Sequence, residues 1–453
     1  MSIVTVVGAS GMTVKVTVDG GAAESLASSY SATIQNAHTG SSLTTYELTA
    51  GSNSPTTSGG LNQGSVTVGG AFTLNGMFDA AVVGGYDANG TMTQPVVLDA
   101  RADGASSLSV LAGSTGGTSF FAGNQSGMFV GATGNNLYNA GGTSGNWQVA
   151  TAAGNDTIIG SNGNNSITTG AGNNLVFLGS GNNSVVSNGH DTVDGSNGID
   201  TVTLAGGSSV VSLHDKAAVV DTSTGNQVSV GSNSTVFGGN NAVNTFTGTS
   251  GTVVGGTGDT ISAAGNLQVV HGMGNNISVG GALTFLNGTG NTTIAAGNAT
   301  IFGASGLNLN LNSTSGYSLF VGDAANETVN GASSTHAFQA FSGTGAMTMI
   351  GGSGYDTLVG GVGGDTFTGG SGGALFALTQ GHAGGNYQIT DFGSAAGNLV
   401  ALYQYGLQNN NGLQNVLSAA TVTGGNSTIE LADHSKITFV GVQDLKASDF
   451  TLS

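Results

Sequence analysis

From Gly351 to Ala377 the chain reads GGSGYDTLV, GGVGGDTFT, GGSGGALFA, three consecutive units of nine residues. The first two match G-G-x-G-x-D-x-U-x at every defined place, where U is a large apolar residue, and a nonapeptide of this kind predicts a parallel β-solenoid. The glycines allow a turn with φ > 0, and the aspartate stands at its mouth. The last three residues form a short strand whose central side chain points inward, because alternate strand residues face opposite sides. Leu358, Phe367 and Phe376 are therefore expected core residues.

The same phase extends back to Thr151 through TAAGNDTII, GSNGNNSIT, TGAGNNLVF, LGSGNNSV, VSNGHDTVD and GSNGIDTVT, one of which is a residue short. Their sixth places hold Asp156, Asn165, Asn174, Asn183, Asp191 and Asp200, and their inward places hold Ile158, Ile167, Val176, Val185, Val193 and Val202. Looser copies surround Asp259, Asn275, Asn291, Glu327 and Met347. The expected fold class is all-β: a parallel β-solenoid with an N-terminal β-rich region containing one short helix, Ala22 to Ala37.

Eighty-three glycines and 6% charged residues are the composition of a disordered chain. Periodic Ile, Val, Leu and Phe argue against disorder, since an inward row repeated at each turn buries a continuous core. The formal net charge of −18 repels phosphate backbones and anionic lipid, so no nucleic-acid partner is expected, and it attracts divalent cations. Cysteine is absent, which removes thiol chemistry and disulfide stapling. No stretch approaches the ~20 apolar residues of a membrane span, so no membrane insertion is expected. The N-terminus lacks the basic and apolar regions of a secretory signal and instead alternates Val14, Val16 and Val18 with polar residues, as a half-buried strand does.

The nonapeptides at 351–368 resemble the RTX, or haemolysin-type calcium-binding, repeat. Downstream, NYQITDFGSAAGNLVALYQYG is similar to the segment that often follows such repeats, and TFVGVQDLKASDFTLS is similar to uncleaved C-terminal signals of type I secretion substrates. The resemblance implies export from a Gram-negative cell, an extracellular or cell-surface location, and folding driven by Ca2+ outside. It makes Asp156, Asp191, Asp200, Asp259, Asp356 and Asp365 the candidate metal ligands. In the family, carboxylates about eighteen residues apart share an ion. Here Asp156 pairs with Asn174, Asn174 with Asp191, Asn183 with Asp200, and Asp356 with Ala374, so no such pair keeps both carboxylates. Affinity follows ligand charge, and only weak calcium sites are expected.

Three regions are expected: 1–125, a β-rich cap or assembly region; 126–380, the degenerate nonapeptide solenoid; and 381–453, closing strands with the secretion signal. No catalytic residue is expected. GGSGG satisfies G-x-S-x-G, but Ser371 falls inside a roll turn rather than on a strand-to-helix elbow. The His-Asp neighbours at 190–191, 214–215 and 433–434 point to opposite faces of a strand. The five basic residues are scattered, which disfavours a carbohydrate-active site, and no persistent Thr row marks an ice-binding face. The sequence reading is an extracellular structural protein, not an enzyme, that polymerises with itself into filaments, a surface layer or biofilm matrix. A monomeric adhesin is the alternative, with cell-surface polysaccharide as a second expected partner.

Overall fold

The computed structural model describes residues 2–56, 59–86, 92–323, 326–381, 384–395 and 397–453. They form two compact units, Met1–Ser234 and Thr235–Ser453. Each unit is a parallel β-solenoid, and the two hold about 19 turns between them.

In the first unit, two strands per coil each pair with the strand one coil onward. Val149, Ile167, Val185, Val202 and Val219 stand in register along one inward row. Tyr138, Ile158, Val176, Val193, Val211 and Val228 form the facing row. All are at most 2% exposed. Burying each such aliphatic side chain contributes roughly 1.5–3 kcal/mol. The corners bring successive coils into backbone contact. Gly172 sits at φ +124°, and a Cβ there would lie 1.9 Å from the Gly154 carbonyl oxygen, so only glycine fits.

Parallel pairing begins well before the nonapeptide phase. Strand β3 (Leu43–Glu47) already pairs in parallel with Leu61–Val66, and β4 (Gly51–Asn53) with Gly70–Gly76. Solenoid geometry thus starts inside the stretch 1–125.

Ahead of the coils lie an antiparallel hairpin, β1 (Ser2–Val7) with β2 (Thr13–Val18), and helix α1 (Gly21–Thr39). Val14, Val16 and Val18 are fully buried and alternate with the less buried Thr13, Lys15 and Thr17, the half-buried alternation that the sequence implied, and Val14 and Val16 lie against Gly84 of the coils. Ala23, Ala27, Tyr30 and Ile34 of α1 join them in one cluster with Ala80, Val82, Leu111, Val130 and Ala150, which alternate with the inward-facing residues of their strands. The helix therefore packs on the side of the early coils, where the outward row is apolar.

In the second unit Ala340, Leu358, Phe376, Val400 and Phe450 form one inward row. Val329, Met349, Phe367, Ile389 and Phe439 form the other. The expected core residues Leu358, Phe367 and Phe376 are at most 1% exposed. A second helix, α2 (Gly412–Ser418), which the sequence reading did not include, precedes the antiparallel strands Thr421–Thr423, Asn426–Glu430 and Lys436–Phe439. Phe450–Leu452 pairs in parallel with Leu399–Tyr403.

Candidate metal centre

The sixth residue of each nonapeptide points into the corner of its coil, where it meets the backbone of the coil before. Its side-chain oxygen accepts the N–H of the equivalent residue one coil earlier. On one corner, Asn136 N–H donates to Asp156 Oδ1 (2.7 Å), Asp156 N–H to Asn174 Oδ1 (2.9 Å) and Asn174 N–H to Asp191 Oδ1 (3.1 Å). On the other, Trp147 N–H donates to Asn165, Asn165 N–H to Asn183 and Asn183 N–H to Asp200 Oδ1. The second unit repeats the arrangement: Ala242 N–H donates to Asp259 Oδ1, Phe338 N–H to Asp356 Oδ1 and Met347 N–H to Asp365 Oδ1. Side chains here satisfy backbone donors that the turn geometry leaves out of the strand ladder.

The second side-chain atom distinguishes the corners. In Asn165, Nδ2 donates to the carbonyls of Ser161 (3.0 Å) and Gly163 (2.9 Å) and to Asn183 Oδ1 (2.9 Å). Asn183 repeats this with Gly179, Gly181 and Asp200 Oδ1. A neutral amide thus bridges turn carbonyls and the next coil, the place a bound cation would otherwise fill. Asp200 and Asp156 carry an oxygen there instead, and both Oδ2 atoms are buried without a hydrogen-bond partner. Burial raises both carboxyls above the ordinary aspartate range.

The remaining candidates are served differently. Asp191 Oδ2 accepts the hydroxyls of Thr169 (2.5 Å) and Ser187 (2.7 Å). Asp356 Oδ2 accepts Gly352 N–H at 2.7 Å, and burial pushes its carboxyl up to about 6. Asp365 Oδ2 accepts Gly361 N–H, its Oδ1 accepts the Ser342 hydroxyl, and burial raises it as well. All six candidate aspartates are buried, and the hydrogen-bonded pairs are Asp with Asn rather than two carboxylates. Among the described residues no group of three or more His, Asp or Glu side chains gathers as a metal cluster.

Calcium takes six to eight oxygen ligands, many of them carbonyls. The donor set fits an ion best at Asp156 and Asp200, where a carboxylate oxygen is unpaired in a turn of carbonyls. It fits least at Asp191, Asp356 and Asp365, where both oxygens already accept hydrogen bonds.

Three acidic or amide residues outside the nonapeptide reading serve comparable corners. Asp103 accepts Phe78 N–H through Oδ1, its Oδ2 is buried without a partner, and burial pushes it up to about 6. Asp391 accepts the N–H groups of Gly369 (2.7 Å) and Gly370 (2.9 Å), and Asn398 accepts Ala374 N–H, so these two supply the third nonapeptide, which has Ala374 where its neighbours have aspartate. The signal available for them was the ITDF and GN segments themselves; for Asp103 the sequence carries no period.

The family described as RTX calcium-binding nonapeptide repeat (4 copies) matches residues 151–185, 186–208 and 342–373. No curated protein and no solved structure matches the chain. No helix among the described residues is long and apolar enough to cross a membrane. The matched repeats support Ca2+ binding and are typical of secreted proteins. The chain thus carries RTX calcium-binding repeats on a β-solenoid, a combination that suggests an extracellular calcium-binding structural or adhesin-like protein.

Proposed function

We propose that this protein is a secreted structural subunit that assembles with copies of itself into filaments or layers, with calcium stiffening its coils. The observation that supports this reading is a set of open strand edges. In the first unit β3 pairs only with Leu61–Val66 and β4 only with Gly70–Gly76 among the described residues. In the second unit Thr421–Thr423 pairs only with Asn426–Glu430, and Phe450–Leu452 only with Leu399–Tyr403. An unpaired edge presents a row of N–H and C=O groups that another chain can extend, and proteins that avoid this place Lys or Pro there. These four strands contain neither, and Val422 is 54% exposed. Contacts between unlike edges give open polymers wherever the rotation between subunits does not close a ring.

Electron microscopy of the purified chain, with calcium and with a chelator, tests the reading. Ordered fibres or sheets are expected in calcium; monodisperse particles at high concentration in both conditions refute assembly and leave the adhesin-like reading.

A further inference from the structure

A second row of asparagines lies on the outside of one corner of the first unit, next to the buried row. Asn164 N–H donates to Asn146 Oδ1 (2.8 Å), Asn182 N–H to Asn164 Oδ1 (2.9 Å) and Ile199 N–H to Asn182 Oδ1 (2.8 Å). The oxygens are consumed by the backbone, which fixes each amide plane. Among the described residues the three Nδ2 groups have no partner, unlike those of the buried Asn165 and Asn183. They form a column of outward NH2 donors, one per coil, with the ~4.8 Å spacing of neighbouring strands.

Beside this column runs a second. Gln148, Ser166, Ser184 and Thr201 are in register on the adjoining strands, all exposed. None of these side chains hydrogen-bonds to another of the described residues. The two columns line a groove of about 480 Å³ that ends at Ile199, 52% exposed. Such a volume is in the range of ligand sites.

The groove contains no ionisable side chain, although the chain carries a net charge of −18. It therefore offers no carboxylate to hold a cation in place, and the overall field repels anions. The opposite corner has the same outer asparagine column, Asn135, Asn155 and Asn173. Its adjoining strand row, however, is Leu137, Thr157, Leu175 and Thr192, and no hydroxyl column forms. The polar pairing of two columns belongs to one corner.

We propose that this groove binds an uncharged linear polysaccharide lying along the coils. Fixed amide donors and free hydroxyls at coil spacing, close to the length of one pyranose residue in an extended chain, match the hydroxyls of successive sugars. Ile199 gives an apolar patch for one sugar face. This goes beyond the assembly reading and does not depend on it: a monomer presents the same groove.

The test is binding of the full chain, in calcium, to an array of neutral linear glycans (glucans, galactans, mannans and chito-oligosaccharides) with uronic-acid polymers as contrast. Binding to at least one neutral chain, and none to the acidic ones, is expected. Asn164→Asp keeps the oxygen that Asn182 N–H needs and replaces the NH2 donor by an anionic oxygen; it should weaken binding at least tenfold. The double variant Ser166→Ala/Ser184→Ala, which touches no backbone bond, should weaken it several-fold. Asn155→Asp on the opposite corner should leave it unchanged. Absence of binding to every neutral glycan overturns the proposal, as does equal loss from Asn155→Asp. Growth inhibition of ice without glycan binding overturns it in favour of ordered water as the ligand.

Discussion

Replacing Asp200 by Asn should stabilise its coil when calcium is absent. Asp200 Oδ2 is buried with no partner, and burial raises its carboxyl, so the coil holds an unpaired carboxyl oxygen whose charged form is disfavoured. An asparagine there retains the acceptor for Asn183 N–H and turns a donor toward the corner, as Asn165 and Asn183 do. A buried unsatisfied polar group costs about 1–3 kcal/mol, so removing it should slow amide exchange across residues 179–205 by roughly 5- to 150-fold, at about 1.4 kcal/mol per tenfold. Asp356→Asn is the counterpart. Its Oδ2 accepts Gly352 N–H at 2.7 Å, and an amide nitrogen there would face another donor. Relief of the buried charge and loss of that bond are of similar size, so no comparable gain is expected. Hydrogen-exchange mass spectrometry in chelator reads both coils separately, which suits a repeat array whose unfolding need not be two-state. Equal shifts in the two variants, or weaker protection in Asp200→Asn, refute the reasoning. In millimolar calcium the order should invert at residue 200, because only the wild-type coil retains the carboxylate for the ion.

Three further outcomes follow from the same corners. The Asp356 carboxyl, raised from 3.8 to about 6, favours the fold fully below the unfolded pKa and loses that contribution as pH rises through about 6; exchange protection of residues 352–360 in chelator should fall between pH 4 and 6.5, and a rise over that interval contradicts the burial. Calcium at one hundred times its dissociation constant should add about 2.7 kcal/mol wherever it binds only the folded coil, with larger protection around Asp156 and Asp200 than around Asp191; a uniform gain contradicts the assignment. Ile167→Ala, at a side chain 1% exposed between Val149 and Val185, should cost about 2–5 kcal/mol, seen as lost protection in its own and adjacent coils.

The inward rows from Ile158 to Val202 and from Leu358 to Phe376 were legible because one period governs turn, ladder and core together. The earlier coils were not, because their corners lack a common spacing: Asn62 N–H reaches Asp79 seventeen residues on, whereas Phe78 N–H reaches Asp103 twenty-five residues on. Helix α1 was legible as a single helical stretch, Ala22 to Ala37, but its seat on Leu111, Val130 and Ala150 depends on a row that reads as ordinary strand alternation. At the candidate site, the sequence located the aspartates and their Asn partners. It did not reveal which second oxygen would meet an N–H and which would be left bare, since Asp200 and Asp356 occupy the same motif place. That difference is set by how each turn presents its amides. The outer asparagine column was written in the doublets Asn164-Asn165, Asn173-Asn174 and Asn182-Asn183, whose first members the core reading passed over.

The corner ladder also acts as a ruler on the gene. Each rung hands one N–H to the next coil and needs nothing from coils farther away, so excising Ile158 through Leu175 would leave the Asn136–Asp156 rung intact, seat Val176 where Ile158 stood and hand the Asp156 N–H to Asp191 in place of Asn174, the one cost being two carboxylates on adjacent rungs. Insertions or deletions in whole coils should be tolerated, whereas shifts of a few residues would turn the inward row to solvent. The single short block, where Asn174 reaches Asp191 over seventeen residues, shows how small an error the corner absorbs. Length in this protein is therefore free to drift in quanta of one coil.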